Sequence, residues 1–250
     1  MTDTLKDKVA IVTGSARNIG RAIAHALSEL GASVVIHAQQ DRAAAESVRR
    51  EITDKGGDAI AHLADLTEEQ ACLGLVDTAV SEFGRLDILV CNAAIRRQKP
   101  FLETSFAEWR AVLAVDLDGV FLMTRAAAPH IVAAGGGSIV CLGGSSSHMG
   151  ARGRPHVCAA KMGVVGLARV LANELGEYGI NVNVVAPGRV DTTRGASAGQ
   201  PSAVTSGRAM ERKAQPEEIA AMVGHLCLPA GRYVTGQTIH VNGGLLLAGA

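Results

Sequence analysis

Side chains able to move a proton are many in this sequence, with 8 histidines and 24 acids, so position matters more than number. Lys161 lies in Ala159-Ala160-Lys161-Met162-Gly163, within a helical pattern. His156 falls in the first turn of that helix if it begins near Pro155, where the backbone has more freedom. Histidine is the usual proton carrier near neutral pH, which makes His156 and His148 candidates. Asp116 stands in the apolar run Val115-Asp116-Leu117-Asp118-Gly119-Val120-Phe121, and Ser145 opens Ser145-Ser146-Ser147. Arg96, Arg97, Arg152 and Arg154 carry guanidinium forks suited to a carboxylate or phosphate.

A second group of residues binds rather than reacts. Thr13-Gly14-Ser15-Ala16-Arg17-Asn18-Ile19-Gly20 joins an apolar run to a helical one. Gly14 permits a tight turn, and Gly20 lets helix and strand pack closely. The helix N-terminus aims free N–H groups at paired phosphates. A strand before and a helix after set this apart from an ordinary turn and point to a dinucleotide.

These residues need a frame to hold them. Residues 9–12 read as a strand. Residues 19–30 read as a helix, with Ile23, Ala26, Leu27 and Leu30 at helical spacing and Gly31 as the stop. Further strands are predicted at 33–37, 59–63, 86–90, 139–142, 181–185 and near 237–241. Helices are predicted at 42–55, 67–83, 105–128 and about 157–177. Near-continuous apolar strands are buried on both faces, as in parallel sheets. Their alternation with helices implies right-handed crossovers. The expected fold is α/β: one doubly wound Rossmann domain over residues 1–250, with about seven parallel strands and helices on both faces. Ligands on such sheets bind outside the carboxyl ends of the strands. Residues 194–208, rich in Gly, Ser and Ala, read as the centre of a mobile substrate loop or lid spanning 191–215.

Taken together, these motifs resemble the short-chain dehydrogenase/reductase family nearly end to end, in the manner of its 3-oxoacyl-carrier-protein reductase-like members. The phosphate loop is similar to T-G-x-x-x-G-x-G, with Asn18 at the middle glycine; Asn tolerates left-handed backbone. Asp65-Leu66 follows the third strand, where the family contacts adenine. Asn92-Ala93-Ala94 resembles the family's N-A-G. Pro187-Gly188 precedes Val190 and Thr192, at the positions that contact the nicotinamide carboxamide. Tyr233-Val234-Thr235-Gly236-Gln237 and Val241-Asn242-Gly243-Gly244 resemble the C-terminal segment. The resemblance implies cofactor contacts from Gly14, Ser15, Arg17, Asn18, Ile19, Gly20, Gln39, Asp65, Leu66, Asn92, Ala93, Lys161, Pro187, Gly188, Val190 and Thr192.

An acid at the end of the second strand would bind the ribose 2′-hydroxyl of NAD. His37, Ala38, Gln39 and Gln40 occupy that stretch instead. Arg17 matches a basic position common in NADP-dependent relatives, and Arg42 could assist. NADP(H) is therefore expected, with NAD(H) left open because a shifted turn could bring Asp41 to the ribose.

In this family a tyrosine exchanges the proton. A lysine four residues later holds the ribose and lowers the tyrosine pKa, a serine orients the substrate oxygen, and an asparagine holds a relay water. Lys161 fills the lysine position. Val157 stands where the tyrosine would be, Gly144 in the serine position beside Ser145, and Asp116 in the asparagine position. The resemblance thus implies a degenerate tetrad, with His156, His148, Asp116 or Ser145 as stand-ins. The leading expectation is an NAD(P)(H)-dependent oxidoreductase for a small ketone, alcohol, imine or conjugated alkene. The alternatives are a lyase or isomerase with His156 or His148 as base, and a non-catalytic dinucleotide-binding protein.

Composition bounds the partners. Net charge is +0, with 24 basic and 24 acidic residues, which argues against recruitment of nucleic acid or an anionic membrane by bulk charge. The odd set Cys72, Cys91, Cys141, Cys158 and Cys227 lacks a C-x-x-C pair and reads as reduced thiols, hence a cytoplasmic location. Residues 1–9 are polar and charged, unlike a signal peptide. No apolar run is expected to approach the ~20 residues of a membrane helix. No metal is expected. A homotetramer follows from the resemblance, because the helices at 105–128 and after 157 form four-helix contacts in family members.

Overall fold

The computed structural model describes residues 4–193 and 209–246. Valine, isoleucine and alanine dominate the strands, and almost every strand residue near the centre of the sheet is buried. Such strands have two covered faces, and the connections supply the cover. The chain runs β1 (Val9–Val12), α1 (Asn18–Glu29), β2 (Ser33–Ala38), α2 (Arg42–Thr53), β3 (Ala59–Leu63), α3 (Glu69–Phe83) and β4 (Ile88–Cys91). It continues through α4 (Phe106–Leu113), a π-helical turn (Ala114–Asp118), α5 (Gly119–Ala133), β5 (Gly137–Leu142), α6 (Ser145–Met149), α7 (Pro155–Leu175), β6 (Ile180–Pro187), α8 (Pro216–Cys227) and β7 (Thr238–Val241).

The sheet is parallel throughout, in the order β3-β2-β1-β4-β5-β6-β7. One face packs α1, α2 and α8 around Ile23, Leu27, Val48, Ile52, Ile219 and Val223. The other packs α3, α5 and α7 around Leu75, Val76, Met123, Ile131, Val164 and Ala168. Burying each of these apolar side chains, Ala168 apart, stabilises the fold by about 1.5–3 kcal/mol. The strand order reverses between β1 and β4, and a crevice opens there at the carboxyl ends of the strands.

Most differences from the sequence expectation are shifts of one to three residues at element ends, the scale on which helix termini fray. Others are larger. The predicted 105–128 helix is α4 and α5 joined by the π turn, and it runs on to Ala133 through Pro129. Residues 145–149 form a short helix, an element absent from the sequence expectation. The sequence reading did not name α8, although Pro216 stands in its first turn and Gln215 with Glu218 closes a capping box. Against expectation, Pro155–Tyr178 is long and apolar enough to cross a membrane by length and composition. In this fold it packs on β6 and α4, with Val164, Val165, Ala168 and Ala172 buried. The core of the expected substrate loop, 194–208, lies outside the described residues.

Candidate active site

The crevice is a cleft of about 1400 Å³, lined by the ends of β1, β2, β4 and β6 and the loops that follow them. Ordinary small-molecule pockets span ~300–1,000 Å³, so this one has room for a dinucleotide and a second molecule.

Its floor is the turn between β1 and α1. Gly14 has φ +63° and Asn18 φ +53°, the left-handed region that Asn enters more readily than most residues. A Cβ at Gly20 would collide with Gly14 O and Asn92 Nδ2. Helices α2 and α4 receive a side-chain cap from Asp41 and Ser105, whereas α1 has none and no acid in its first turn. The opening of α1 is thus a row of N–H groups facing the cleft, ready for an anion. Those features fit a dinucleotide pyrophosphate.

The turn is pinned from three sides. Asn92 Nδ2 donates to Thr13 O (2.9 Å) and Gly14 O (3.0 Å), while Thr13 Oγ1 accepts from the Asn92 and Ala93 N–H groups (2.9 and 3.0 Å). Ser15 Oγ donates to Val12 O and accepts from His37 N. His37 Nδ1 accepts from Gly14 N (2.9 Å), so Nε2 carries the proton and donates to Ala64 O (3.0 Å). Burial lowers the His37 pKa, partly offset by the Ala64 bond, and keeps the ring neutral. The sequence reading treated His37 as a ribose-end position; here it also buttresses the phosphate turn. Asn18 adds a third tie: its Oδ1 accepts from Thr193 N (3.0 Å) and Oγ1 (2.9 Å), and its Nδ2 donates to Thr193 O (3.1 Å).

At the adenosine end, Asp65 accepts from Thr67 N and Oγ1 and from Gln39 Nε2 (2.8 Å), bonds that hold its carboxyl below the usual range. Arg17, Gln39, Gln40 and Asp41 line this end. Asp41 accepts from Ala44 N as the α2 cap.

At the other end a pocket of about 120 Å³ opens beside the cleft. Lys161 and Val157, 6% and 7% exposed, line it from α7. Asn92, Gly144, Ser146, Ser147, Pro187, Gly188 and Val190 complete it with Arg96 and Arg154. Thr192 lines the main cleft, as do Ile19, Leu66 and Ala93.

The structure separates the expected stand-ins. Asp116 is completely buried in the π turn. Its Oδ1 accepts from Ile95 N (2.6 Å), and Oδ2 has no partner. Burial raises its pKa against the opposing pull of Lys161, whose charge it feels. Ser145 turns away from the cleft and donates to Ala186 O (3.1 Å); Ser146 and Ser147 face the inner pocket. His148 does not line it either and packs edge-on against His240, ring centroids 4.7 Å apart. His156 is buried outside both cavities: Nδ1 accepts from Val157 N (2.8 Å), and Nε2 has no partner. Burial, then Arg97, lowers its pKa. The sequence reading missed Ser146 because the direction of successive side chains depends on where α6 begins.

A parallel sheet with this order and an uncapped helix over its switch point define a Rossmann-type dinucleotide-binding class. Comparison with known proteins makes the class specific. A family model described as "Enoyl-(Acyl carrier protein) reductase" matches residues 14–246. The chain is 37% identical over 246 residues to a 3-oxoacyl-[acyl-carrier-protein] reductase of Synechocystis sp., covering 97% of this chain and 98% of the relative. It is 38% identical over 247 residues to a cis-4-hydroxycyclohexanecarboxylate dehydrogenase of Sinomonas cyclohexanicum, covering 98% of each. A short-chain dehydrogenase of Burkholderia cenocepacia, solved in complex with NADP, superposes with a TM-score of 0.90 at 34% identity, over 97% of this chain and 99% of the other. The chain belongs to the short-chain dehydrogenase/reductase family, and its cofactor is a nicotinamide dinucleotide.

Proposed function

We propose that this protein is an NADP(H)-dependent oxidoreductase for a small carbonyl or alcohol, with Lys161 itself as the proton-exchanging group. The observation that carries the reading is the inner pocket, which Lys161 and Val157 both line, Val157 at the position that corresponds to the family's tyrosine. The bound dinucleotide would supply or accept the hydride. Its pyrophosphate fits the N–H groups of α1, and Asn92, Pro187, Gly188, Val190 and Thr192 fit the nicotinamide end. Arg17 lines the adenosine end and would pair with a 2′-phosphate, and the residues from Ala38 to Gln40 that end β2 carry no acid, while Asp41 is engaged as the α2 cap.

Lys161 Nζ would hold the ribose and give a proton to the substrate oxygen, and take it back in the reverse direction. Ser146 would orient that oxygen. Val157 gives the pocket an apolar wall, and an apolar wall would strengthen the electrostatic pull of a charged group beside it. Asp116, which feels the Lys161 charge, would act on it as a positioning residue. A lyase or isomerase would need His156 or His148 as base, and no specific observation favours either. The exposed apolar residues Phe121, Met162 and Val170 on α5 and α7 support assembly as a homotetramer. All five cysteines are free thiols, which supports a reducing, cytoplasmic setting.

NADPH consumption with a panel of cyclic and open-chain ketones, including 4-oxocyclohexanecarboxylate, tests the reading. Turnover with NADPH is expected, and Arg17→Ala should weaken NADPH about tenfold or more while leaving NADH unchanged. Equal affinity for NADH and NADPH in the parent protein would overturn the cofactor choice.

A further inference from the structure

The cleft is polarised along its length. Its carboxylates, Asp41 and Asp65, lie at the adenosine end, after β2 and β3. Beyond β4 the lining holds no carboxylate among the described residues and is crowded with arginines: Arg96, Arg97, Arg152, Arg154 and Arg189. The dinucleotide phosphates are already provided for at α1 and Arg17, on the other side of the switch point.

Two loops bring the arginines together. The loop after β4 carries Arg97, and the loop between α6 and α7 carries Arg152. They are tied by a backbone hydrogen bond from Lys99 N to Gly153 O (2.7 Å), two residues from Arg97 and one from Arg152. Gly153 takes φ +72°, and a Cβ there would press on Gln98 Cγ at 3.2 Å, so the close approach of the loops needs glycine. Nearby acids are already engaged: Glu108 by Lys99 (2.8 Å), and Asp191 by Lys213 (2.7 Å). Arg97 and Arg152 make no ion pair or side-chain hydrogen bond among the described residues, although each has five N–H donors. The charge of Arg97 is felt as far as His156, whose pKa it helps to lower.

A second observation points to a ligand independently of charge. Ser147 lines the inner pocket beside Arg154 and Lys161, and its Oγ is buried without any partner. A buried hydroxyl without a partner costs free energy that a polar atom at the reacting end of a bound substrate would recover, so a second molecule fits beside the cofactor.

We infer that the substrate carries an anionic group, a carboxylate or a phosphate, held by Arg97 and Arg152 while its reacting carbon lies at the Val157–Lys161 end. This rests on the cleft being the dinucleotide site. Guanidinium forks bind either oxyanion in bidentate fashion, and an arginine-lined mouth also raises the local concentration of anions.

The test titrates benzoate, phenyl phosphate and neutral benzamide into the NADPH-loaded protein by calorimetry, after NADPH binding has been measured alone. Binding of benzoate or phenyl phosphate, at least tenfold tighter than benzamide and weakened by added salt, is expected. Whichever anion binds tighter identifies the group. Arg97→Gln with Arg152→Gln should lower anion affinity about tenfold or more and leave NADPH affinity unchanged. Equal binding of benzamide, no anion binding, or anion binding indifferent to the double substitution overturns the inference. Failure of NADPH to bind overturns the cofactor reading instead, and the anion titrations on the cofactor-free protein then still decide this one.

Discussion

Two buried aspartates at opposite ends of the sheet show how this fold divides stability from chemistry. Asp87 lies at the amino end of β4. It accepts from Lys8 Nζ (2.8 Å), Arg85 Nε and Nη2 (2.8 and 2.7 Å) and Val9 N (3.1 Å). Burial pushes its pKa up, but the bonds from Arg85, Lys8 and Val9 outweigh that and hold it below the usual carboxylate value. Asp116 lies toward the carboxyl end, accepts one bond and leaves Oδ2 bare; there burial wins and its pKa rises. Among the described residues, the buried side-chain polar atoms without a partner are Asp116 Oδ2, Ser147 Oγ and His156 Nε2. All belong to the segments around the N-terminal half of α7, beside the inner pocket. Polar groups are satisfied where they only hold strands together; of the three left short, Ser147 lines the inner pocket, while Asp116 and His156 are buried behind it and line neither cavity.

The comparison breaks most visibly at Asp87. Asp87→Asn should cost about 2–3 kcal/mol in urea unfolding at neutral pH. That lies below the ~3–5 of a fully buried pair, because Lys8 and Arg85 keep 30% and 37% exposure. Because its folded pKa is lowered, the Asp87 contribution is present above the unfolded value near 3.8 and lost as pH falls through the folded one. The gap between parent and variant should therefore close in acid.

Asp116→Asn should do the reverse. Its raised folded pKa means that ionisation opposes folding, with a penalty that grows as pH rises from 3.8 through the folded value. An amide can keep the Ile95 bond without charge. The variant should match or exceed the parent by up to about 1 kcal/mol at neutral pH, with no advantage in acid. Loss of stability at neutral pH on the Asp87 scale would erase the distinction between the two ends.

Asn18 offers the smallest and sharpest test. Its φ of +53° suits glycine, so Asn18→Gly removes the three bonds to Thr193 without backbone strain. A few-fold weaker NADPH affinity with unchanged stability is expected, since each exposed bond contributes about 1 kcal/mol or less. Unchanged affinity would mean that the Thr193 tie plays no part in holding the cofactor.

Legibility in the sequence followed the same division. The phosphate turn could be read because Gly14, Asn18 and Gly20 are choices the backbone forces. The central strands could be read because burial on both faces leaves only apolar residues. The inner pocket could not. A π turn adds one residue to a helical turn, and no residue type marks where Asp116 will point. The start of α6 sets whether Ser145 or Ser146 faces the cleft, because neighbours on a helix diverge by about 100°. His156 lies one residue before Val157 and by the same rotation misses the pocket. Helix α8 carries its own start signal in Gln215, Pro216 and Glu218, but its apolar pattern is short and follows a Gly- and Ser-rich stretch that reads as loop.

The central claim is that Lys161 faces the pocket and supplies the proton in place of a tyrosine. Steady-state NADPH oxidation by Lys161→Met, with its NADPH dissociation constant measured alongside, tests this most directly. Turnover should fall by about 10²–10⁴, while NADPH affinity falls less than about tenfold. Turnover equal to that of the parent protein would contradict the account.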